Sequence, residues 1–380
     1  MKAGRGAVAF SRLVHRSSLL MSLRIGISGW TYAPWRGTFY PPDLPHAREL
    51  HFASRQVNSI EINGSFYRMQ RPATYRAWFE QAPDDFAFAI KGGRFVTHLR
   101  RLKDVEQPLA NFFASGALRL SRKLGPILWQ LPPSLAFDAA RVESFLALLP
   151  RTHAEAGQFA RRREAWMKGR DWLEVEHDGP LRHAVEVRHA SFQDVKFVDL
   201  LRQHDVGLVV ADTAGKWPVM EDVTSDFVYC RLHGDEEIYV SGYTEAALDR
   251  WAAKLTAWHD GGEPPNAART SDAPAPRRAS RDVYVYFDND VKVRSPFDAM
   301  GLAARLGLPP PAVPPGPAPV DVAEQPRASW TPMRYPKAKR ATGAKTRAAK
   351  GGKRATPVKK KVVAKESPAK RKVPARRAPK

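Results

Sequence analysis

Eight short apolar runs recur along the chain, at 24–28, 57–61, 86–91, 127–130, 184–188, 206–212, 227–233 and 283–288. Each is four to seven residues long, and most are rich in Val, Ile, Phe or Tyr and end in a charged or amide side chain. That is the pattern of strands buried in a sheet. The gaps carry apolar positions three and four apart at 45–55, 72–81, 107–123, 138–149, 194–204, 244–259 and 296–306, which predicts helices. Pro45 and Pro296 suit a first helical turn, and Thr244 suits an N-cap. Alternation of strand and helix forces parallel pairing, because a parallel crossover needs about a dozen residues or more. Eight such units in fewer than 310 residues predict an α/β fold closed as a (β/α)8 TIM barrel.

The repeat is uneven in three places. The fourth unit is lengthened by 151–182, where a second helix is expected over 154–167. The 213–226 link after the sixth run is too short for a good helix. Residues 260–281, rich in Gly, Pro, Ala and Arg, read as a mobile loop before the eighth strand.

Period two along each strand selects the side chains that point into the barrel. Glu61 and Asn63 share one face, Lys91 follows Ala87 and Ala89, and Gln130 follows Leu128. Glu186 pairs with Arg188, Asp212 follows Leu208 and Val210, and Arg231 and His233 follow Tyr229. The eighth strand is ambiguous between Asp288 and Asn289, and Asn289 is taken as the binding residue. The C-terminal mouth, where barrel enzymes place their chemistry, thus collects acids, cations, an imidazole and amides. Unpaired, each buried charge would cost several kcal/mol or more.

Composition divides the chain. It carries 61 Lys+Arg against 39 Asp+Glu, a net charge of +22. Residues 336–380 hold 18 basic residues and one acid, Glu366, leaving +5 for everything else. The expected organisation is an N-terminal extension (1–22), the barrel (23–308), a Pro-rich linker (309–335) and a disordered basic tail (336–380). The first twenty residues hold five basic or His residues and no acid, like an organellar transit peptide. A start at Met21, immediately before the first strand, is the reading preferred here. The single cysteine, Cys230, lies in a strand run, which excludes a disulfide framework and fits a reducing, cytoplasmic setting. No apolar stretch approaches the roughly 20 residues that span a bilayer, so no membrane partner is expected.

Ordered motifs carry a resemblance. They are GISGWTYAPWRGTFYP (26–41), EINGSFYR (61–68), FAIKGGRFVTH (88–98), GPILWQLPP (125–133), EVRHASF (186–192), VVADTAGKWP (209–218), RLHG (231–234) and YFDND (286–290). Together they resemble the YecE-like family, domain of unknown function 72, over about residues 24–308. The resemblance implies a TIM barrel and implies no established reaction.

The mouth residues suggest an enzyme acting on a small anionic substrate, phosphorylated or carboxylated, with a sugar among the candidates. Arg188 and Arg231 can each fork onto a phosphate or carboxylate, with Lys91 as a point charge. Asn63, Gln130 and Asn289 add polar contacts, and Glu61, Glu186, Asp212 or His233 could move a proton. The alternative is a buried ion-pair lattice that merely closes the barrel. Glu61, Glu186, Asp212 and His233 could also hold a divalent metal, but the interleaved cations already neutralise them, so no cofactor is required. The first loop offers Trp30 and Tyr32 as a stacking rim for a sugar or base. Most aromatics of that loop are expected to pack against the barrel top instead. Thr97 and His98 rank low as lid residues, and Gly92 and Gly93 offer backbone N–H groups to an anion. The tail, which has no aromatic residue, suggests DNA or RNA as a partner through phosphates alone and a nucleoid-associated alternative location. In that second reading the mouth would process a phosphodiester.

Overall fold

The computed structural model describes residues 22–311. Eight strands, β1 (Leu23–Ser28), β2 (Ser59–Ile62), β3 (Ala87–Lys91), β4 (Leu124–Gln130), β5 (His183–Glu186), β6 (Gly207–Asp212), β7 (Phe227–Leu232) and β8 (Asp282–Phe287), pair in sequence order. Every neighbouring pair is parallel, and β1 pairs with both β2 and β8, which closes the barrel. All eight expected runs are strands, displaced by at most three residues at their ends. The expected tail, nearly all of the N-terminal extension and most of the linker lie outside the described residues.

Two apolar layers explain the closure. Ile25, Ile27, Ile60, Ile62, Phe88, Ile90, Trp129, Val210, Cys230 and Val285 point outward and are buried under the helices. Ala89, Leu128, Ala184, Val209, Ala211, Phe227, Tyr229, Tyr284 and Tyr286 fill the interior. Strands apolar on both faces are what an all-parallel barrel demands.

The covering helices are α1 (Glu49–Ala53), α2 (Gly64–Tyr67), α3 (Pro72–Gln81), α4 (Glu106–Ala114), α5 (Ala139–Ala147), α6 (His153–Ala160), α7 (Val195–Gln203), α8 (Glu245–His259) and α9 (Arg294–Arg305). Side chains of Asp138, Thr152, Asp194 and Thr244 accept backbone N–H groups at the starts of α5, α6, α7 and α8. The helix expected over 107–123 is broken at Gly116, where φ is 106° and a Cβ would stand 2.5 Å from the Pro72 Cα. A 3-10 segment, Ala117–Lys123, follows. The second helix expected in the fourth unit ends earlier, at Ala160, and a short 3-10 turn covers Ala165–Met167.

The link between β6 and β7 holds no helix, and the 260–281 segment lies against it rather than standing free. Glu221 N–H donates to the Ala268 carbonyl (2.9 Å), while the Glu221 carboxylate accepts Ala268 N–H (2.7 Å). Asp222 accepts the N–H groups of Thr270 (2.8 Å) and Ser271 (2.9 Å). Arg202 of α7 reaches the Ala273 carbonyl (2.9 Å), so the segment crosses the gap left by the missing helix. Two buried carboxylates convert a Gly/Pro-rich stretch into a clasp. Among the described residues no helix is long and apolar enough to cross a membrane.

Candidate functional site

Above Tyr229 and Tyr286 the barrel interior turns from apolar to ionic. Alternation along β7 places Arg231 inward, two residues beyond Tyr229, and its guanidinium is fully buried at the centre. It donates to Glu61 of β2 through Nε (3.1 Å) and Nη2 (2.9 Å), to Glu186 of β5 through Nη1 (2.7 Å) and to Asp288, just past β8, through Nη2 (2.7 Å). Ser28 Oγ accepts from Nη2 as well (3.1 Å). Glu61 also accepts from Ser28 Oγ and from the Tyr229 hydroxyl (2.6 Å). His233 stands beside this hub, with Nε2 3.4 Å from Arg231 Nη1 and Nδ1 3.2 Å from Asp288. Burial and the Arg231 charge lower the His233 pKa, keeping the imidazole neutral. Burial opposes ionisation of Glu186 and Asp288. Even so, Arg188 and Arg231 hold Glu186, and Arg231 and His233 hold Asp288, below the usual carboxylate range.

Each guanidinium nitrogen of Arg231 is thus engaged by the protein, so the expected fork onto a ligand is corrected: Arg231 is the hub of a lattice. Glu61, Glu186 and His233 are its partners rather than groups facing open space.

Lys91 is different. The side chain is buried at the end of β3, yet Nζ makes no ion pair or hydrogen bond among the described residues and lies 4.6 Å above the Phe66 ring. Burial, reinforced by Arg231, lowers its pKa to about 8. The chain leaves β3 through Gly92, where a Cβ would fall 2.3 Å from the Trp129 ring, so only glycine passes. Gly92 N–H donates to the Leu128 carbonyl (2.8 Å) and is not offered to a ligand. A π-helical turn, Phe95–Leu99, then brings the His98 ring edge-on to Phe66 at 5.0 Å. Burial, Lys91 and Arg188 lower the His98 pKa to about 4.

Arg188 donates through Nε to Glu186 (2.7 Å) and through Nη2 to the Tyr239 hydroxyl (3.3 Å), and lies 3.8 Å over the Trp217 ring. Its Nη1 has no protein partner among the described residues. Tyr239, at φ 66°, folds the loop after β7 back over His233, with ring centroids 5.2 Å apart. Gln130 is buried at the end of β4 with no side-chain hydrogen bond among the described residues. Asn63 donates to Ser28 Oγ (2.9 Å), and its buried Oδ1 has no hydrogen-bond partner among the described residues. Tyr32 donates to the Ser28 carbonyl (2.6 Å). Asp290, two residues beyond Asp288, is pushed up to about 7 by burial and by the Asp288 charge.

Three expected site residues lie elsewhere. Asp212 points out of the barrel, because Val209 and Ala211 rather than Leu208 and Val210 face inward. It accepts from Tyr243 (3.1 Å) and from Trp251 of α8 (3.3 Å). Asn289 likewise points outward, donating to Asp298 of α9 (2.8 Å) and accepting from Ser295 (3.1 Å). The strand-eight ambiguity resolves to Asp288. Trp30 packs edge-on against Trp78 of α3 at 5.3 Å, and Trp35, Phe39 and Tyr40 are buried, so the first loop is largely a packed cap. Among the described residues no three His, Cys, Asp or Glu side chains converge as a metal-binding group.

The sequence profile described as "Protein of unknown function DUF72" matches residues 24–321. The chain belongs to the DUF72 family. UPF0759 protein YecE of Escherichia coli K12 is 24% identical over 239 residues, covering 62% of this chain and 81% of that protein. UPF0759 protein YunF of Bacillus subtilis 168 is 26% identical over 114 residues, 29% of this chain and only 39% of that protein. The crystal structure of a DUF72 protein from Thermotoga maritima is similar with a TM-score of 0.56 and 21% identity, over 75% of this chain and 99% of that one. One from Enterococcus faecalis gives a TM-score of 0.54 and 14% identity over 79% and 100%. At these identities the likeness establishes the fold alone. In this DUF72 chain, Asp290, Phe66, His98 and Trp217 all sit inside the quoted motifs without being selected by inward parity, and Asp288 is the alternative that parity leaves open beside Asn289. Tyr239 lies in none of them and carries no sequence signal.

Proposed function

We propose that this protein is an enzyme that holds a small anionic substrate at the barrel mouth through Lys91 and Arg188 and moves a proton with Asp290. The observation that carries this reading is the Lys91 ammonium, buried at the C-terminal end of the barrel with no counter-ion in contact among the described residues. A phosphate or carboxylate would complete it, with Arg188 Nη1 and the free Gln130 amide as further donors. Asp290 has the ionisation that acid–base chemistry near neutral pH requires. The Arg231 lattice fixes the rim and holds the field without touching the ligand.

Thermal unfolding against a panel of phosphorylated and carboxylated metabolites tests the reading. Wild type is expected to be stabilised by at least one member, and Lys91→Met and Arg188→Gln to lose that shift. If no member moves the wild-type transition beyond matched sodium chloride, the reading fails.

A second reading rests on the 18 basic residues against one acid in 336–380. Such a segment supports nucleic-acid binding by counterion release, with the barrel delivered to its substrate by the tail.

A further inference from the structure

Lys91 is oriented before any ligand arrives. Its carbonyl accepts from Ser65 Oγ (2.7 Å), Gly92 ties the next amide to Leu128, and the Phe66 ring supports the ammonium from one side. The charged groups facing it are Arg231 on β7, Glu61 on β2, Asp288 after β8 and Glu186 on β5, and the neutral His98 ring lies in electrostatic reach of both it and Arg188. None of the acids makes an ion pair with Nζ; the hub guanidinium takes them. An amine that is buried, beside a fixed guanidinium and without an ion-pair partner among the described residues is the arrangement that keeps a lysine partly neutral, and therefore nucleophilic.

We propose that Lys91 Nζ is a nucleophile that forms an imine with the carbonyl carbon of an aldehyde or ketone bearing a phosphate or carboxylate group. This deepens the reading of the mouth as an anion site and rests on it. The neutral amine forms the N–C bond as the carbonyl π pair moves to oxygen, which takes a proton. Nitrogen releases a proton to water, the carbinolamine expels water, and a C=N bond remains. No oxidant or reductant is consumed. The anionic group of the substrate meets Arg188 and Gln130, and the imine then serves as an electron sink for bond breaking at the adjacent carbon.

Borohydride trapping with the full chain tests this. The probes are dihydroxyacetone phosphate and uncharged dihydroxyacetone, applied briefly at pH 7.5, with adducts located by peptide mass mapping. With its pKa near 8 against the ordinary 10.5, Lys91 is expected to take up the phosphorylated probe about tenfold faster than lysines of the tail. Inorganic phosphate should suppress the reaction, and Lys91→Arg should abolish that adduct while leaving the tail adducts unchanged. If Lys91 reacts no faster than tail lysines while phosphate still raises the wild-type unfolding temperature, the imine is overturned and the anion site stands. If the two probes react equally at Lys91 and phosphate has no effect, the nucleophile stands and the anion reading falls.

Discussion

Replacing Arg231 with methionine removes the cation shared by Glu61, Glu186 and Asp288. Breaking a buried ion pair costs about 3–5 kcal/mol, because the surviving charges lose their partner in a medium that cannot hydrate them. Urea unfolding is expected to show a loss of at least that size; a change below about 1 kcal/mol would mean the carboxylates are satisfied elsewhere. Asp290 behaves in the opposite way. Its carboxyl ionises near 7 in the folded state, far above the unfolded value, so ionisation destabilises the fold as pH rises. Asp290→Asn is therefore expected to stabilise the protein on the order of 4 kcal/mol at pH 8 and hardly at all near pH 4. Equal effects at both pH values would contradict that ionisation. Parity along the strands read Glu61, Lys91, Glu186, Arg188, Arg231 and His233 into one cluster, and it failed at Asp212 and Asn289 for a common reason. Strands β6 and β8 are apolar on both faces, so the sequence does not say which parity is inward. In β8 the deciding contact is long-range: the Tyr286 hydroxyl meets Ser59 Oγ inside the barrel (2.7 Å), which sets the parity of Asp288.

Elements were legible wherever a local signal marked them. Thr244, Asp194 and Asp138 cap the helices they precede, and the Pro72–Gln81 helix matches its expected span. Past the end of α4, Gly116 packs against Pro72, more than forty residues away, so a side chain there is excluded by a contact no window along the chain contains. The clasp of 260–281 is of the same kind. Composition argued for mobility, and Glu221 and Asp222 override it by satisfying its backbone. Asp222→Ala would leave the Thr270 and Ser271 amides without their acceptor, at about 1–3 kcal/mol for each buried group. Hydrogen exchange should quicken at those two amides while the strand amides keep their protection. Unchanged exchange there would show that the clasp does not order the segment.

For the molecule as a whole, the buried acids set opposing slopes of stability with pH. Burial raises Asp290 to about 7 and Asp298 to about 6, so their contribution is full below the unfolded value, near 4, and is lost as pH rises through 6 to 7. Glu186 and Asp288 are depressed, so theirs is present above about pH 4 and lost as pH falls below it. From these four groups the urea midpoint is therefore expected to peak near pH 4 and fall through pH 6 to 7, and a maximum at pH 8 would contradict these assignments. The basic tail makes a separate claim. The full chain should bind duplex DNA without regard to sequence and weaken steeply with salt, and a chain ending at residue 311 should lose nearly all of this binding. Equal affinity of the shortened chain would move the nucleic-acid site onto the barrel.

The central claim is that Lys91 waits in the mouth for an anion. The most direct measurement is an NMR titration of the Lys91 Nζ environment in the full chain, with and without inorganic phosphate. Titration near pH 8 in the free protein, rising when phosphate is added, is the expected result. Titration at the ordinary lysine value, indifferent to phosphate, would contradict it.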